Sequence, residues 1–271
     1  MAESALNRPA KRNMARSMKR TKSSRQTQIL AELDSSPSLR VAELARRLAV
    51  STETIRRDLD ELTTQGLLNR TYGGAVRPLS SEPSVTERHR LYVEERQHIA
   101  RAALKVIGDG HVLMIGSGAT TVHVARRIAV EMKNITVITH SFGVATVLAF
   151  NPTIKVLMLP GDYHASEGAT VGVHTVSFLG NFYADYAITG ASGLAADGPS
   201  EALLECGAVY TAMVARAAKC VVVADHSKFD AIFPSRYAPW RDVDTLVTDA
   251  APPEKLATAL RQSGVDLVTA S

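Results

Sequence analysis

Two adjacent arginines, Arg56 and Arg57, lie in a stretch of sequence that predicts a short helix. A planar guanidinium group can hold guanine O6 and N7, or a phosphate, through two hydrogen bonds. The chemistry expected of such a pair is therefore contact with DNA. An arginine pair on an exposed helix is more often only solvated surface. The secondary structure predicted around the pair is needed to distinguish DNA contact from solvated surface.

The helix that would carry the arginines begins after Ser51, whose side-chain oxygen can accept a hydrogen bond from the backbone N–H of Thr54. At about 100° per residue, Ile55, Leu59 and Leu62 lie along one side and are expected to pack on other helices. The opposite face is expected to be exposed and carries Glu53, Arg56, Arg57 and Asp60. We predict that the start of this helix contacts DNA through Ser51, Thr52, Glu53, Thr54, Arg56 and Arg57.

Two helical patterns precede this segment, and a hairpin pattern follows it. Apolar residues at 29, 30 and 33, and again at 41, 44, 45 and 48, have helical spacing, and a polar, proline-containing break at 34–38 separates the two groups. Residues 66–76 contain two short strand patterns around a tight turn, which predicts a β-hairpin wing. Arg70 and Arg77 are expected to reach phosphate from this wing, which positions a protein on DNA without selecting a sequence.

Charge is unevenly distributed along the chain. Residues 1–80 hold 15 Lys and Arg against 8 Asp and Glu, a net charge of +7, whereas the remaining residues hold 16 against 19, a net charge of −3. Such asymmetry suggests that the first part meets a polyanion. Residues 1–21 predict a disordered basic arm, which is either a source of nonspecific phosphate contacts or a solvated tail.

Composition excludes several classes of protein. The 45% hydrophobic and 21% charged residues are ordinary for a soluble globular chain. No apolar run approaches the ~20 residues that span a bilayer, and the basic N-terminus lacks an apolar signal region. We therefore expect a cytoplasmic protein. Cys206 and Cys220 have no metal-ligand spacing, so we expect free thiols in a reducing compartment, no metal site and no cofactor.

Beyond residue 92 the sequence alternates between strand and helix patterns. Repeated βα units predict a mostly parallel sheet with helices on both faces, so the expected fold class is α/β with an N-terminal winged helix-turn-helix domain. The predicted strands are 110–115, 136–139, 155–159, 186–189, 220–224 and 244–248, and the predicted helices are roughly 93–106, which is rich in charge, and then 121–131, 142–150, 172–178 and 202–217. The expected domains are a basic arm at 1–21, a DNA-binding domain at 22–77, a linker at 78–92 and an effector-binding and oligomerisation domain at 93–271.

A glycine-rich turn at 115–121 follows one predicted strand and opens a helix. Glycines allow close approach of the backbone to an anion, the helix start offers free N–H groups, and the hydroxyls can donate. The expected anion-binding residues are Gly116, Ser117, Gly118, Ala119, Thr120 and Thr121. Many such turns are only tight connections, so this pattern alone is weak.

Lys228 follows the predicted strand 220–224, at the sheet edge where ligands bind in open α/β sheets. It is expected to hold a phosphate or a sugar hydroxyl, although it could be an ordinary surface lysine. Asp225 either anchors the ligand or only caps the turn.

The strings 54–59 (Thr-Ile-Arg-Arg-Asp-Leu), 66–70 and 72–74 resemble the DNA-binding domain of the DeoR family of bacterial transcriptional regulators. Downstream, the resemblance extends to the strings 107–110, 117–121, 137–141, 185–190 and 225–229. It implies a winged helix-turn-helix joined to a sensor domain similar to ribose-5-phosphate isomerase. It also implies repression of carbohydrate-catabolism operons under the control of a phosphorylated sugar or related metabolite. The expected partners are double-stranded operator DNA, this effector and further copies of the chain in a dimer or tetramer.

The resemblance adds Thr139, His140, Ser141 and Gly190 to the expected effector site. Two positions depart from the family pattern, which often has an acidic residue at Gly116 and an asparagine at His140. Both departures lie at the expected ligand mouth, so the effector is expected to differ from those of better-known members. His140 is alternatively a hydrogen-bonding residue of the wall.

Two other functions compete with a ligand-controlled regulator. An isomerase or deaminase needs a general acid and base at the substrate. Where the isomerases carry Gly-Ala-Asp-Glu this chain has Gly190-Ala-Ser-Gly193, and their Arg-Glu-Lys segment aligns with Glu205-Cys-Gly207. The loss of these groups predicts binding without turnover and therefore no catalytic residues. A purely structural DNA-binding protein would not need so long an α/β domain.

Overall fold

The computed structural model describes residues 22–35, 38–64, 68–71, 74–76 and 82–270. The chain divides into two compact units, residues 1–78 and 79–271. The basic arm at 1–21, Arg77, the tip of the wing and the side chain of Arg70 lie outside the described residues, so the predictions made for them stay predictions.

The described residues of the first unit form three helices and three short strands. They are α1 Lys22–Ser35, β1 Ser38–Arg40, α2 Val41–Leu48, α3 Thr52–Thr64, β2 Asn69–Thr71 and β3 Gly74–Val76. The apolar stripes of the helices meet in one core, in which Ile29, Leu44, Ile55, Leu59 and Leu62 are all buried. The three strands form an antiparallel sheet in the order β1-β3-β2. The helix-turn-helix and its wing are therefore present as expected.

Strand β1 was not predicted, because the proline-containing segment before it indicated only a break. Leu39 pairs with Ala75, so β1 adds a third strand to the hairpin of β2 and β3. Gly74 is required at this pairing, because a Cβ there would lie 2.2 Å from the carbonyl oxygen of Leu39. The wing is thus tied to the helices through a strand that precedes α2.

The second unit alternates strands and helices. Its helices are α4 Val85–Arg88, α5 Val93–Ile107, α6 Ala119–Glu131, α7 Phe142–Leu148, α8 Val173–Leu179, α9 Leu204–Val214 and α10 Glu254–Ser263. Its strands are β4 Val112–Ile115, β5 Thr136–Thr139, β6 Lys155–Met158, β7 Asp162–His164, β8 Ala169–Val171, β9 Ala184–Thr189, β10 Gly193–Ala195, β11 Gly198–Glu201, β12 Ala217–Val223, β13 Ser235–Arg236, β14 Thr245–Thr248 and β15 Asp266–Thr269.

Seven strands form one parallel sheet in the order β15-β14-β12-β9-β4-β5-β6. Neighbouring side chains of β4 face opposite sides, as a strand requires. Met114 belongs to one apolar cluster, while Leu113 and Ile115 belong to another. The sheet is therefore buried on both faces, and the expected α/β fold is confirmed.

Several elements differ from the predictions. The antiparallel pair β7–β8, the small sheet β10-β11-β13, and α10 and β15 were not predicted. Residues 82–92, expected to belong to a linker, lie in the second unit and contain α4. The reason is electrostatic, because Arg88 is buried there and paired with carboxylates.

Within the described part of the chain, no helix is both long and apolar enough to cross a membrane. Cys206 and Cys220 are buried free thiols. Burial raises the pKa of both thiols, to about 12 for Cys220, which keeps them protonated and unreactive.

Candidate functional site

Helix α3 presents the arginine pair as the sequence predicts. The backbone N–H of Thr54 donates to Ser51 Oγ at 3.1 Å, which caps the start of the helix. Arg56 and Arg57 point to solvent, with side chains 58% and 78% exposed. Glu53 lies near both guanidinium groups, 3.4 Å from Arg57 Nε. Surface ion pairs of this kind contribute about 0–1 kcal/mol, so the arginines can be redirected to another anion.

A buried ion pair fixes the orientation of α3, and the sequence did not reveal it. Asp58 is buried, and Arg25 of α1 donates to both of its carboxylate oxygens, one at 2.9 Å through Nη2. Glu61 of α3 also accepts from Lys22 and Gln26 of α1. The available signal was position, since Asp58 lies three residues after the buried Ile55. Such a pair holds the exposed face of α3 in one direction.

The start of α6 forms the second candidate site. The chain leaves β4 at Ile115 and turns at Gly118, whose φ of 122° and ψ of 164° are essentially accessible only to glycine. The first N–H groups of α6, at Ala119, Thr120 and Thr121, have no acceptor within the helix and carry its positive dipole end. They border a cavity that also includes Gly190, Tyr210 and Lys228.

The hydroxyl groups of this turn are engaged unequally. Thr121 Oγ1 donates to the carbonyl oxygen of Gly118 at 2.9 Å. Tyr210 donates to the carbonyl oxygen of Ser117 at 2.7 Å, which leaves the Ser117 hydroxyl to donate to the Tyr210 oxygen at 3.1 Å. Of the hydroxyl groups of Ser117, Thr120 and Thr121, only that of Thr120 has no protein hydrogen-bond partner within the described residues. The backbone and Thr120 are therefore the donors available to an anion.

Gly116 accommodates the ring of Tyr210. A Cβ at this position would lie 2.6 Å from the ring, so any other residue would displace the tyrosine. The departure from the family pattern at Gly116 thus coincides with a bulky neighbour from α9. The close contact between Gly116 and Tyr210 could not be predicted from the spacing of residues in the sequence.

His140 lies behind the turn, fully buried. Its Nε2 accepts the backbone N–H of Ser117 at 3.0 Å, and its Nδ1 lies 2.8 Å from the carbonyl oxygen of Thr170 and must donate to it. Acceptance at Nε2 requires a neutral ring, and burial lowers the pKa of His140 to about 4. Among the described residues, His140 therefore contacts the turn and not the cavity.

Thr139 and Ser141 also take part in building the turn. Thr139 Oγ1 donates to the carbonyl oxygen of Ile115 at 2.7 Å, and Ser141 caps α7 by accepting the N–H of Val144. Neither residue borders the cavity. Gly190 does border it, and its carbonyl oxygen accepts from Tyr237.

Three cations surround the same cavity, of which the sequence predicted only Lys228. Arg96 is buried and donates to Asp225 Oδ2 through Nη2 at 3.0 Å and through Nε at 3.1 Å. Asp225 also accepts the N–H of Ser227 and so caps the 3₁₀ turn at His226–Lys228. Asp225 is thus an anchor for Arg96 and for the turn that presents Lys228.

Arg88 and Lys228 are held by carboxylates that the sequence did not indicate. Arg88 Nη2 lies 2.5 Å from Glu167 and its Nη1 lies 3.3 Å from Glu82. Lys228 Nζ donates to Glu82 Oε1 at 2.8 Å. These partners are far apart along the chain, which is why spacing gave no sign of them.

Glu201 adds a protonated carboxyl group to this cluster. Burial raises its pKa to about 8, and the negative charge of Glu82 adds to the shift. Ser192 Oγ lies 2.9 Å from Glu201 Oε2, accepts the N–H of Ala202 and also contacts Glu82. Because a hydroxyl has one proton, Glu201 donates to Ser192, which donates to Glu82.

A larger cleft, of about 570 Å³, is lined by side chains of α5, α6 and β15. It holds Arg101, Lys105 and Arg127, together with Glu131. None of the predicted site residues borders it. Its lining comes from the middle and end of the helices, so it lacks the free N–H groups that mark the start of α6.

An exposed arginine pair on a capped helix beside a β-wing, and a glycine turn that leaves helix N–H groups at a cavity of a parallel α/β domain, are the features of a winged-helix regulator with a sensor domain. Comparison with known families agrees. The DeoR-like helix-turn-helix domain matches residues 25–81, and the DeoR C terminal sensor domain matches residues 92–250. The chain belongs to the DeoR family and is a DNA-binding transcriptional regulator.

Curated relatives align over nearly the whole chain. The HTH-type transcriptional repressor CsqR of Escherichia coli is 33% identical, with 90% of this chain and 94% of the relative covered. The glycerol-3-phosphate regulon repressor of the same organism is 31% identical, covering 83% and 90%. Among solved structures, a ribose 5-phosphate isomerase A from Methanocaldococcus jannaschii is 21% identical, covers 51% of this chain and 54% of its own, and has a TM-score of 0.36.

Proposed function

We propose that this protein represses a carbohydrate-catabolism operon and that a phosphorylated sugar or related metabolite bound at the start of α6 controls it. The observation that carries the proposal is the meeting of the open N-terminus of α6 with Arg88, Arg96 and Lys228 around one cavity. Backbone N–H groups and cations together favour a phosphate over a neutral sugar. The relatives named as repressors, one of them of a glycerol-3-phosphate regulon, support the same assignment.

The DNA contacts are proposed at the start of α3. Ser51, Thr52, Glu53 and Thr54 form its first turn, and Arg56 and Arg57 follow on the exposed face. In helix-turn-helix proteins the N-terminal residues of the recognition helix contact base edges. Because such domains usually read paired half-sites, we also propose that the protein acts as a homodimer or homotetramer.

The raised pKa of Glu201 suggests catalysis as an alternative function. A carboxyl group with a pKa of about 8 beside a cavity is the kind of group that general acid–base catalysis uses. Here the group is tied to Ser192 and is protonated at neutral pH, so it does not offer a free base. We therefore propose a sensor without turnover. Product formation from pentose, hexose or polyol phosphates at enzyme-like rates would overturn this part of the proposal.

The experiment that tests the ligand class is a thermal-shift screen of sugar phosphates on the full chain. A bound effector at a hundredfold excess over its dissociation constant should stabilise the wild type by about 2.7 kcal/mol. Lys228→Ala should reduce this stabilisation, whereas Lys133→Ala, which removes an exposed lysine after α6, should not. If no phosphorylated compound stabilises the wild type, the effector belongs to another chemical class.

A further inference from the structure

Glu82 pairs with two of the cations that line the candidate effector site, Arg88 and Lys228. Its side chain is only 4% exposed, although it belongs to no helix or strand. It contacts Lys228 Nζ at 2.8 Å, Arg88 Nη1 at 3.3 Å and the hydroxyl of Ser192. The residue directly follows the DNA-binding domain, whose family match ends at residue 81. A carboxylate from the interdomain segment thus takes the cations that a phosphate would need.

The charge balance of the site shows what this contact does. Three cations and three ionised carboxylates are paired around it, while Glu201 remains protonated; the ions are Arg88, Arg96 and Lys228 with Glu82, Glu167 and Asp225. A phosphate added to this neutral set would place uncompensated negative charge in a buried site, which is strongly unfavourable. Removal of Glu82 leaves Lys228 without a carboxylate and the set with one net positive charge. That charge, together with the positive end of the α6 dipole, offsets most of the charge of about −1.5 to −2 on a phosphate.

The available space leads to the same conclusion. The cavity at the start of α6 holds only about 20 Å³ of free space, enough for about one water molecule. A neighbouring cavity of about 280 Å³ is lined by Glu82 itself. The two cavities share Arg88, Arg96 and Lys228 as walls. Ligand sites usually enclose roughly 300–1,000 Å³, and opening the Glu82 ion pairs would join the two spaces to that size.

We propose that Glu82 is an internal ligand of the sensor site, and that the phosphate of the effector displaces its carboxylate from Lys228 and Arg88. The proposal rests on the proposed function, since it requires an anionic effector at the start of α6. It makes residues 82 and 83, which precede the N-cap of α4 at Ser84, a segment that is attached without effector and released with it. A ligand that binds only the released state shifts the equilibrium toward it, and the change begins at the residue that follows the DNA-binding domain along the chain.

The other carboxylates of the cluster are less suited to release. Asp225 follows the end of β12 and is fixed by Arg96 and by the N–H of Ser227. Glu167 lies in the turn between β7 and β8. Glu82 precedes Ser84, which caps α4 and whose carbonyl oxygen accepts the N–H of Arg88 at 2.9 Å. The N–H of Val85 then donates to the carbonyl oxygen of Ser166 at 3.2 Å. Withdrawal of the Glu82 side chain therefore breaks side-chain contacts without breaking a strand or a helix.

The first test compares binding of inorganic phosphate by the full chain and by Glu82→Gln, at constant ionic strength in chloride. Removing a competitor that holds the site closed most of the time should tighten phosphate binding roughly 10- to 100-fold. Glu87→Gln, which changes an exposed glutamate on α4, is the matched control and should bind as the wild type does. Equal dissociation constants for wild type and Glu82→Gln would overturn the proposal.

The second test uses the wild type alone and does not depend on the folding of a variant. Hydrogen–deuterium exchange with inorganic phosphate should slow at the amides of residues 119–121 and quicken at the amide of Val85, which donates to the carbonyl oxygen of Ser166 three residues after Glu82. Slowing at 119–121 without quickening at Val85 would keep the proposed phosphate site and reject displacement of Glu82. No slowing at 119–121, with phosphate or with any sugar phosphate, would instead reject the proposed function itself.

Discussion

At the scale of single residues, the sequence predicted the site residues that belong to local patterns better than those that join the site through long-range ion pairs. Gly118 and Lys228 were expected from a glycine-rich turn and from a strand end, which are local patterns. Arg88, Glu82 and Glu201 were not expected, because the partners of Glu82 lie up to 146 residues away along the chain. Long-range ion pairs leave no periodic signal, and their residue types are those of an ordinary surface.

Glu201 provides a prediction at this scale. Its folded pKa of about 8 lies above the usual value of about 4.3 for an unfolded chain. Between these pH values the folded protein holds a proton that the unfolded chain has released, so the free energy of unfolding falls by about 1.4 kcal/mol per pH unit from this group. Glu201→Gln removes the effect and should gain stability relative to wild type as the pH rises from about 4.5 to 8.

Thermal unfolding measured across this pH range checks the prediction. Glu205→Gln, an exposed substitution on α9, serves as the control and should keep the pH dependence of the wild type. A constant difference in melting temperature between Glu201→Gln and wild type would show that Glu201 is ionised in the folded protein.

At the scale of elements, the parallel sheet could be predicted and the short antiparallel pieces could not. Strands such as β4 and β12 are apolar runs between helices, which is the pattern of a doubly covered sheet. By contrast, β7, β8 and β10 have three residues each, too few to show an alternation. Residues 82–92 resemble a linker in composition, because a buried Arg88 and an exposed arginine look the same in a sequence.

The start of α6 provides a prediction at the scale of elements. Gly118→Ala forces alanine to a conformation that costs about 1–3 kcal/mol, although a Cβ would have room there. Gly264→Ala, at the end of α10, is a matched control with φ 74° and open space around it. Both variants should lose thermal stability. Only Gly118→Ala should lose phosphate-induced stabilisation, and equal phosphate responses in the two variants would show that the turn does not bind the anion.

At the scale of the whole molecule, the part of the chain expected to bind DNA and the part proposed to bind an effector differ in net charge. The basic first 80 residues and the acidic remainder predicted one part that meets a polyanion, and the fold supplies a DNA-binding domain there. The second unit instead places three of its cations, Arg88, Arg96 and Lys228, around one buried cavity. A small anion and a DNA duplex are therefore assigned to different units of the chain, and substitutions should affect them independently.

Arg57→Ala tests this independence on a DNA duplex selected from a random pool by the wild-type protein. Loss of one bidentate contact should weaken binding by about 1–3 kcal/mol. Arg241→Ala is a matched control, because its side chain is also 78% exposed but lies in the second unit. It should bind DNA as the wild type does, and both variants should keep the thermal response to phosphate. Unchanged DNA affinity in Arg57→Ala would remove this arginine from the interface, and loss of both responses together would mean that the substitution disturbs folding.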